Sequence, residues 1–306
     1  MEYPRKFQIG FQEGTCPLSC KKCFAFGADI ERKKEVRKMP MNRAIKLLDE
    51  ISSLGNHATI QPHIFTEPFA NPELKQIIQH CCSKELKMSI ITNGILMDDD
   101  WIEFLLKQNS QKITVSFSLD AVKQETYEKV RGNYNLAQIE SKIDYLIACR
   151  KSKNLSIGVN FTAEEDNESE RDAFLNKWKY KVDAVRLHRV IYRNKKIIKT
   201  EASDQIKECS QLNEVMVIDT GGEVRTCSID AFGDSYLGNV FEDGIVSVWN
   251  GREIQQLRER IHLDRLAENE FCFGCEACGY GGNYLYREDS DFYIADNGYD
   301  IFYNHK

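Results

Sequence analysis

Cys16, Cys20 and Cys23 stand in Thr15-Cys16-Pro17-Leu18-Ser19-Cys20-Lys21-Lys22-Cys23, a C-x3-C-x2-C spacing inside one short loop. Three thiols this close in sequence can surround a single metal centre, and thiolates suit soft iron. Three ligands on a four-iron cluster leave one iron open, and an open position separates a catalytic metal site from a closed structural one. A zinc knuckle is the other use of such a loop. It needs a fourth Cys or His nearby, and the next histidine, His57, is far along the chain.

The chain of 306 residues holds eleven cysteines in all. Its first residues, Met1-Glu2-Tyr3-Pro4-Arg5-Lys6, lack the apolar stretch of an export signal, and no apolar run approaches the ~18 residues of a membrane helix. A cytoplasmic location is therefore expected, where thiols stay reduced and a disulfide framework is disfavoured. Metal ligation is the better use for the cysteines. The net charge of −6 argues against holding nucleic acid by counterion release, and basic runs such as Arg32-Lys33-Lys34 are short.

Six segments rich in β-branched or aromatic residues recur at 7–11, 59–65, 88–92, 113–119, 157–162 and 184–190. Helical patterns separate them: Ala44, Leu47, Leu48 and Ile51 form one apolar stripe, and Ile139, Ile143, Leu146 and Ile147 another. Strands alternating with helices imply a parallel α/β sheet, and six units are too few for a closed eight-stranded barrel. The expected fold is an open, partial (β/α)6 barrel with a lateral mouth for substrate. The alternation stops near residue 190. A hairpin is expected from 215–218 and 224–226 around Thr220-Gly221-Gly222, then a helix at 254–261 and a cysteine-rich loop. A domain boundary near residue 205 divides the chain into 1–205 and 206–306. With the first strand starting at residue 7, no peptide-recognition domain is expected ahead of the barrel.

Cys209, Cys227, Cys272, Cys275 and Cys278 occupy the last third. Two cysteines far apart joined by a close pair can ligate a four-iron cluster fully, and the same spacing makes structural zinc ribbons. Cys81, Cys82 and Cys149 lie on helical patterns and are expected in the core.

The three-cysteine loop, placed directly after the first strand of a βα array, resembles that of the radical S-adenosylmethionine (SAM) superfamily. The resemblance implies that the open iron binds the amino and carboxylate groups of SAM. One electron from the cluster then cleaves a carbon–sulfur bond, and the resulting 5′-deoxyadenosyl radical abstracts hydrogen from a substrate. Thr66-Glu67-Pro68 resembles the family's Gly-Gly-Glu-Pro, which implies Glu67 for the SAM ammonium, with Phe65 and Thr66 where the family has glycines. Asn71-Pro72-Glu73-Leu74 also resembles the family. Thr92-Asn93-Gly94 and Ser118-Leu119-Asp120 fall at later strand ends, which implies Asn93, Ser118 and Asp120 as SAM contacts, the last two at the ribose. Arg131-Gly132 implies Arg131 for the SAM carboxylate, and Asn160 is a further polar candidate. Lys22 departs from the pattern: the residue before the third cysteine is often aromatic and packs near adenine, a role left here to Phe24 or Phe26.

Leu237-Gly238-Asn239-Val240 and Val248-Trp249 resemble the SPASM/twitch extension of radical SAM enzymes that modify peptides or oxidise aminocyclitols. A full SPASM domain carries seven cysteines, so five imply the shorter twitch form with one auxiliary cluster. Its implied ligands are Cys209, Cys227, Cys272 and Cys275. Cys278 is left as an alternative ligand, an inert small residue or a hydrogen-atom donor. The implied cofactors are two 4Fe–4S clusters and SAM, with a reductant such as flavodoxin or ferredoxin. The implied substrate is a ribosomally made peptide, epimerised, crosslinked or rearranged, with recognition supplied by a separate protein. A small alcohol, as in the butirosin-pathway aminocyclitol dehydrogenase, is the second reading. A non-catalytic, zinc-stabilised scaffold is a third, from a different class.

Overall fold

In the computed structural model of the protein, the described residues are 3–27, 35–55, 58–108, 112–151, 154–189, 209–263 and 272, with strands at 284–286, 292–295 and 301–304. The strands are β1 (Lys6–Ile9), β2 (Gln12–Glu13), β3 (Arg37–Lys38), β4 (Thr59–Gln61), β5 (Lys87–Thr92) and β6 (Ile113–Ser118). They continue with β7 (Leu155–Ala163), β8 (Ala184–Arg189), β9 (Val215–Ile218), β10 (Val224–Arg225), β11 (Tyr284–Tyr286), β12 (Phe292–Ala295) and β13 (Ile301–Asn304).

The six expected strands are β1, β4, β5, β6, β7 and β8, and they lie side by side in chain order, all parallel. At least one helix separates each pair, so every strand runs the same way and every C-terminal end opens on the same edge. The sheet does not close on itself: β10 is one edge and β11 the other, as a partial barrel requires. The strand at 59–65 is shorter than expected, because the chain leaves the sheet after Gln61 to build the loop that carries Glu67.

Alternation along the strands assigns two different faces. Phe7, Ile9, Met88, Ile90, Val115, Phe117, Ile157, Val159, Phe161, Val185 and Leu187 are buried in one continuous core. The helix Met41–Ser53 adds Ala44, Leu47, Leu48 and Ile51 to it. Full burial of side chains like these is worth about 1.5–3 kcal/mol each, so the helix is held by its stripe. The helix Leu136–Cys149 buries Leu136, Ile139, Ile143 and Leu146, whereas Ile147 only packs at the margin. Most intervening strand positions are polar, namely Gln8, Ser89, Ser116, Ser118, Asn160, Thr162, Arg186 and His188, with Ile91 and Gly158 as exceptions. A parallel sheet covered by helices on both faces would be apolar throughout, so this alternation marks an open, polar lumen.

The hairpin forms at β9 and β10, with Asp219 Oδ1 accepting from the N–H groups of Gly221 and Glu223 at 2.9 and 3.0 Å. Its first strand pairs in parallel with β1, Lys6 facing Val215 through Ile9 facing Ile218, so the hairpin continues the barrel sheet. Gly238 (φ +128) follows the hairpin where a Cβ would meet Val248 at 3.1 Å, which explains a glycine in Leu237-Gly238-Asn239-Val240. Asn239 caps the next short helix through Phe241 N–H. Trp249 is buried beneath the Arg258 guanidinium, 4.1 Å from its ring centre. Among the described residues, no helix is long and apolar enough to cross a membrane.

Candidate functional site

The loop carrying Cys16, Cys20 and Cys23 crosses the C-terminal edge of the sheet. Its start is pinned at Thr15, whose carbonyl accepts from Glu67 N at 2.7 Å and Thr66 Oγ1 at 2.8 Å. Gly14 N–H donates to the Phe65 carbonyl at 3.0 Å. Phe65 itself holds φ +43, the left-handed region that a glycine enters freely. The two glycines of the usual Gly-Gly-Glu-Pro are therefore absent while the left-handed turn persists at Phe65, at the expense of local strain.

All three thiols line one cavity of about 360 Å³. Cys16 accepts from Leu18 N at 3.5 Å and Asn93 Nδ2 at 3.7 Å, and Cys23 accepts from Phe26 N at 3.3 Å. Burial pushes the Cys16 thiol up to about 12, and burial raises Cys23 as well. Such thiols ionise when a metal supplies the charge, so the donor set fits a thiolate-bound iron–sulfur cluster. Among the described residues, no three His, Cys, Asp or Glu side chains converge on the position of one single metal ion. The three thiols are placed around a shared cavity wall.

Glu67, Asn93, Ser118 and Arg131 line the same cavity. Glu67 is 3% exposed and caps the short helix Pro68–Ala70 through Phe69 N–H. Its carboxylate also accepts from the Thr92 hydroxyl and, at 2.9 Å, from Asn93 N. Burial pushes Glu67 up to about 7 although these donors pull it down, so a cation arriving at this wall would restore a carboxylate. The site thus fits the ammonium of SAM.

Asp120 and Asn160 are brought to the same strand ends but stand behind the cavity wall. Asp120 adopts φ +58, and its carboxylate accepts from Thr162 N at 2.6 Å. It forms ion pairs with Arg131 and Lys22, the latter at 2.6 Å. Burial alone would raise Asp120, yet these two cations hold it below the ordinary carboxylate range. The same carboxylate keeps the buried Arg131 guanidinium firmly charged, against burial, which would lower its pKa. Among the described residues, the Nε of Arg131 has no hydrogen-bond partner. Asn160 is 6% exposed, and its backbone carbonyl accepts from Leu119 N at 3.1 Å. Phe24 lines the cavity and Phe26 does not.

His63 and His188 also line the cavity, and neither was anticipated from the sequence. A signal existed: Gln61 and His63, like Arg186 and His188, are polar residues two apart at strand ends, each pair enclosing one apolar residue. Gln8 Nε2 donates to Gln61 Oε1 at 2.6 Å, which turns the Gln61 amide nitrogen toward His63 Nε2 at 3.4 Å. That ring nitrogen must accept, so a neutral His63 carries its proton on Nδ1, which has no partner among the described residues. Burial, reinforced by Lys6, pushes His63 down to about 3. Burial and Arg186 bring His188 to about 3, with His188 Nε2 sitting 2.9 Å from Thr162 Oγ1.

At the other end of the chain, Cys209 precedes the helix Ser210–Glu214, and Cys227 comes two residues after β10. Cys209 and Cys272 pack against the core. Cys275 and Cys278 lie outside the described residues. Cys81 is buried in the core, which raises its thiol, and Cys82 packs beside it. Cys149 is the last residue of its helix.

Residues 14–173 match the profile of the radical SAM superfamily, and residues 209–276 match that of SPASM, an iron-sulfur cluster-binding domain. The antilisterial bacteriocin subtilosin biosynthesis protein AlbA of Bacillus subtilis is 25% identical over 94% of this chain and 71% of that protein. The crystal structure of Streptococcus suis SuiB bound to precursor peptide SuiA superposes with a TM-score of 0.65 at 15% identity, over 91% of this chain and 76% of that one. That of BtrN in complex with AdoMet and 2-DOIA superposes with a TM-score of 0.61 at 15% identity, over 90% and 94%. At these identities the two structures attest the fold.

Proposed function

The chain belongs to the radical SAM superfamily and carries a C-terminal SPASM-type iron–sulfur domain, and we propose that this enzyme modifies a ribosomally made peptide by epimerisation, crosslinking or rearrangement. The observation that carries the chemistry is the convergence of three loop thiols and one buried carboxylate on a single cavity at the C-terminal sheet edge. The bound cluster and SAM supply the chemistry of electron transfer and hydrogen abstraction. In this reading Cys16, Cys20 and Cys23 hold a 4Fe–4S cluster with one iron open, and Glu67 receives the SAM ammonium. Asn93 and Ser118 add polar contacts from neighbouring strand ends. Arg131, oriented by Asp120, faces the SAM carboxylate, while Asp120 and Asn160 act from behind the wall.

Cys209, Cys227, Cys272 and Cys275 hold a second cluster in the unit after residue 205, and Cys278 is the spare thiol. A flavodoxin or ferredoxin supplies the electron, and the reduced thiols suit the cytoplasm. The match to AlbA, which runs through both halves of the chain, supports the peptide substrate. The second reading, oxidation or epimerisation of a small alcohol, draws support from the likeness to BtrN over nearly that whole chain.

Anaerobically reconstituted protein, SAM and dithionite should yield 5′-deoxyadenosine. Replacing Cys16, Cys20 and Cys23 together with Ala should abolish it. Short peptides encoded beside the gene, added to the same mixture, should change in mass or stereochemistry. Undiminished deoxyadenosine from the triple variant would overturn the cluster assignment. Peptides left unchanged while an aminocyclitol is oxidised would overturn the substrate.

A further inference from the structure

Lys22 stands directly before the third cysteine, and its ammonium has no part in the proposed cluster or SAM contacts. The side chain is 11% exposed, and Nζ lies 2.6 Å from Asp120 Oδ2 and 3.0 Å from Glu164 Oε1. It also donates to the Thr162 carbonyl at 3.4 Å. A nearly buried cation with three acceptors is a built arrangement, since an ammonium taken out of water without partners is strongly disfavoured.

Asp120 and the Thr162 carbonyl are held by contacts that do not involve the lysine, and so is the Glu164 backbone. Asn167 is fully buried and donates to the carbonyls of Asp120 at 2.9 Å and Thr162 at 3.0 Å. Its own carbonyl oxygen accepts from Glu164 N at 2.7 Å. Asp120 is further held by Thr162 N–H. The ends of β6 and β7 therefore present the oriented Asp120 carboxylate to the loop, together with Glu164 on a backbone tied by Asn167. The Cys16 end of the loop is tied by backbone bonds at Thr15, and Cys20 contacts Arg131. Lys22 supplies an ionic tie between these strand ends and the stretch joining Cys20 to Cys23.

We propose that Lys22 is a positioning residue whose ion pairs with Asp120 and Glu164 latch the three-cysteine loop onto the ends of β6 and β7, holding Cys20 and Cys23 in ligating register. The latch rests on the assignment of Cys16, Cys20 and Cys23 as cluster ligands. Because Lys22 and Arg131 share Asp120 Oδ2, the same carboxylate orders the loop and the guanidinium beside it.

The test is the rate at which reconstituted full-length protein gives up iron to a ferrous chelator under anaerobic conditions. The Cys16, Cys20 and Cys23 to Ala variant defines the iron that belongs to the loop. Lys22→Met should release loop iron about tenfold faster or more, since breaking a buried ion pair is costly. Lys22→Met with Glu164→Gln, which relieves the stranded carboxylate, should fold with a thermal midpoint near that of the wild type and still release quickly. Lys22→Arg should restore slow release. Wild-type release from the double variant would overturn the latch, as would equally fast release from Lys22→Arg and Lys22→Met. Equal iron in the triple-cysteine variant and the wild type would overturn the ligand assignment itself, and the latch with it.

Discussion

Cys20 and Arg131 exchange two contacts: the Cys20 thiol donates to the Arg131 carbonyl at 3.6 Å, and Arg131 Nη1 donates to the Cys20 sulfur at 3.9 Å. An arginine expected only to face SAM is thereby also part of the setting of Cys20, a proposed cluster ligand. Arg131→Met should consequently weaken SAM binding and iron retention together. Losing one partner of a desolvated charge pair costs about 2–5 kcal/mol, enough to raise the SAM dissociation constant more than about tenfold. Equilibrium dialysis with SAM, alongside an iron assay, checks both effects on one preparation.

Glu67 should behave differently, because its hydrogen bonds run to Phe69, Thr92 and Asn93 and not to a thiol. Glu67→Gln is expected to weaken SAM by more than about tenfold while iron content stays at the wild-type level. Glu67→Ala should also lower the thermal midpoint, since a buried donor left without its acceptor costs about 1–3 kcal/mol. Scanning calorimetry on the two variants separates the cap from the cation site.

Gly14 opens the cysteine loop at φ +81, and a Cβ there would collide with the Glu35 carbonyl oxygen. That neighbour is backbone and cannot turn aside. Gly14→Ala should displace the loop and impair iron uptake at the first site, leaving the C-terminal iron as it is. Iron per chain, compared with the triple-cysteine variant, reads the result.

His63 and His188 are both pushed to about 3 by burial, against an ordinary value near 6.5. A folded pKa below the unfolded one means that the unfolded chain takes up the proton first. The stabilisation is complete above about pH 6.5 and is lost as pH falls toward 3. Between pH 7 and pH 5 each histidine should cost the apo protein about 2 kcal/mol. Acidification from pH 7 to pH 5 should lower the urea midpoint of the wild type more than that of a His63→Asn, His188→Asn double variant, in which the opposing pH dependence of Glu67 remains. In the wild type, the ring C–H resonances of the two residues should not titrate between pH 5 and 8.

The barrel strands were legible because their cause is local. Alternating residues such as Val115, Ser116, Phe117 and Ser118 declare a strand with one apolar face, whatever lies elsewhere in the chain. The stripe of Ala44, Leu47, Leu48 and Ile51 declares its helix in the same way. The three-cysteine loop was legible because its spacing is set within eight residues, and it lies inside the stretch that matches the radical SAM superfamily.

Only the tertiary structure decided which side chains meet above the sheet. Lys22 was visible as a departure before Cys23, but its partner Glu164 lies 142 positions away. Asp120 looks like a ligand contact in the motif Ser-Leu-Asp, yet its carboxylate is taken by Lys22, Arg131 and Thr162. The hairpin at β9 was foreseen as a hairpin, whereas its pairing with β1 was not, since β9 displays no partner in its own residues. Such choices turn on burial and charge compensation among residues far apart in sequence, quantities that exist only once the strands are side by side.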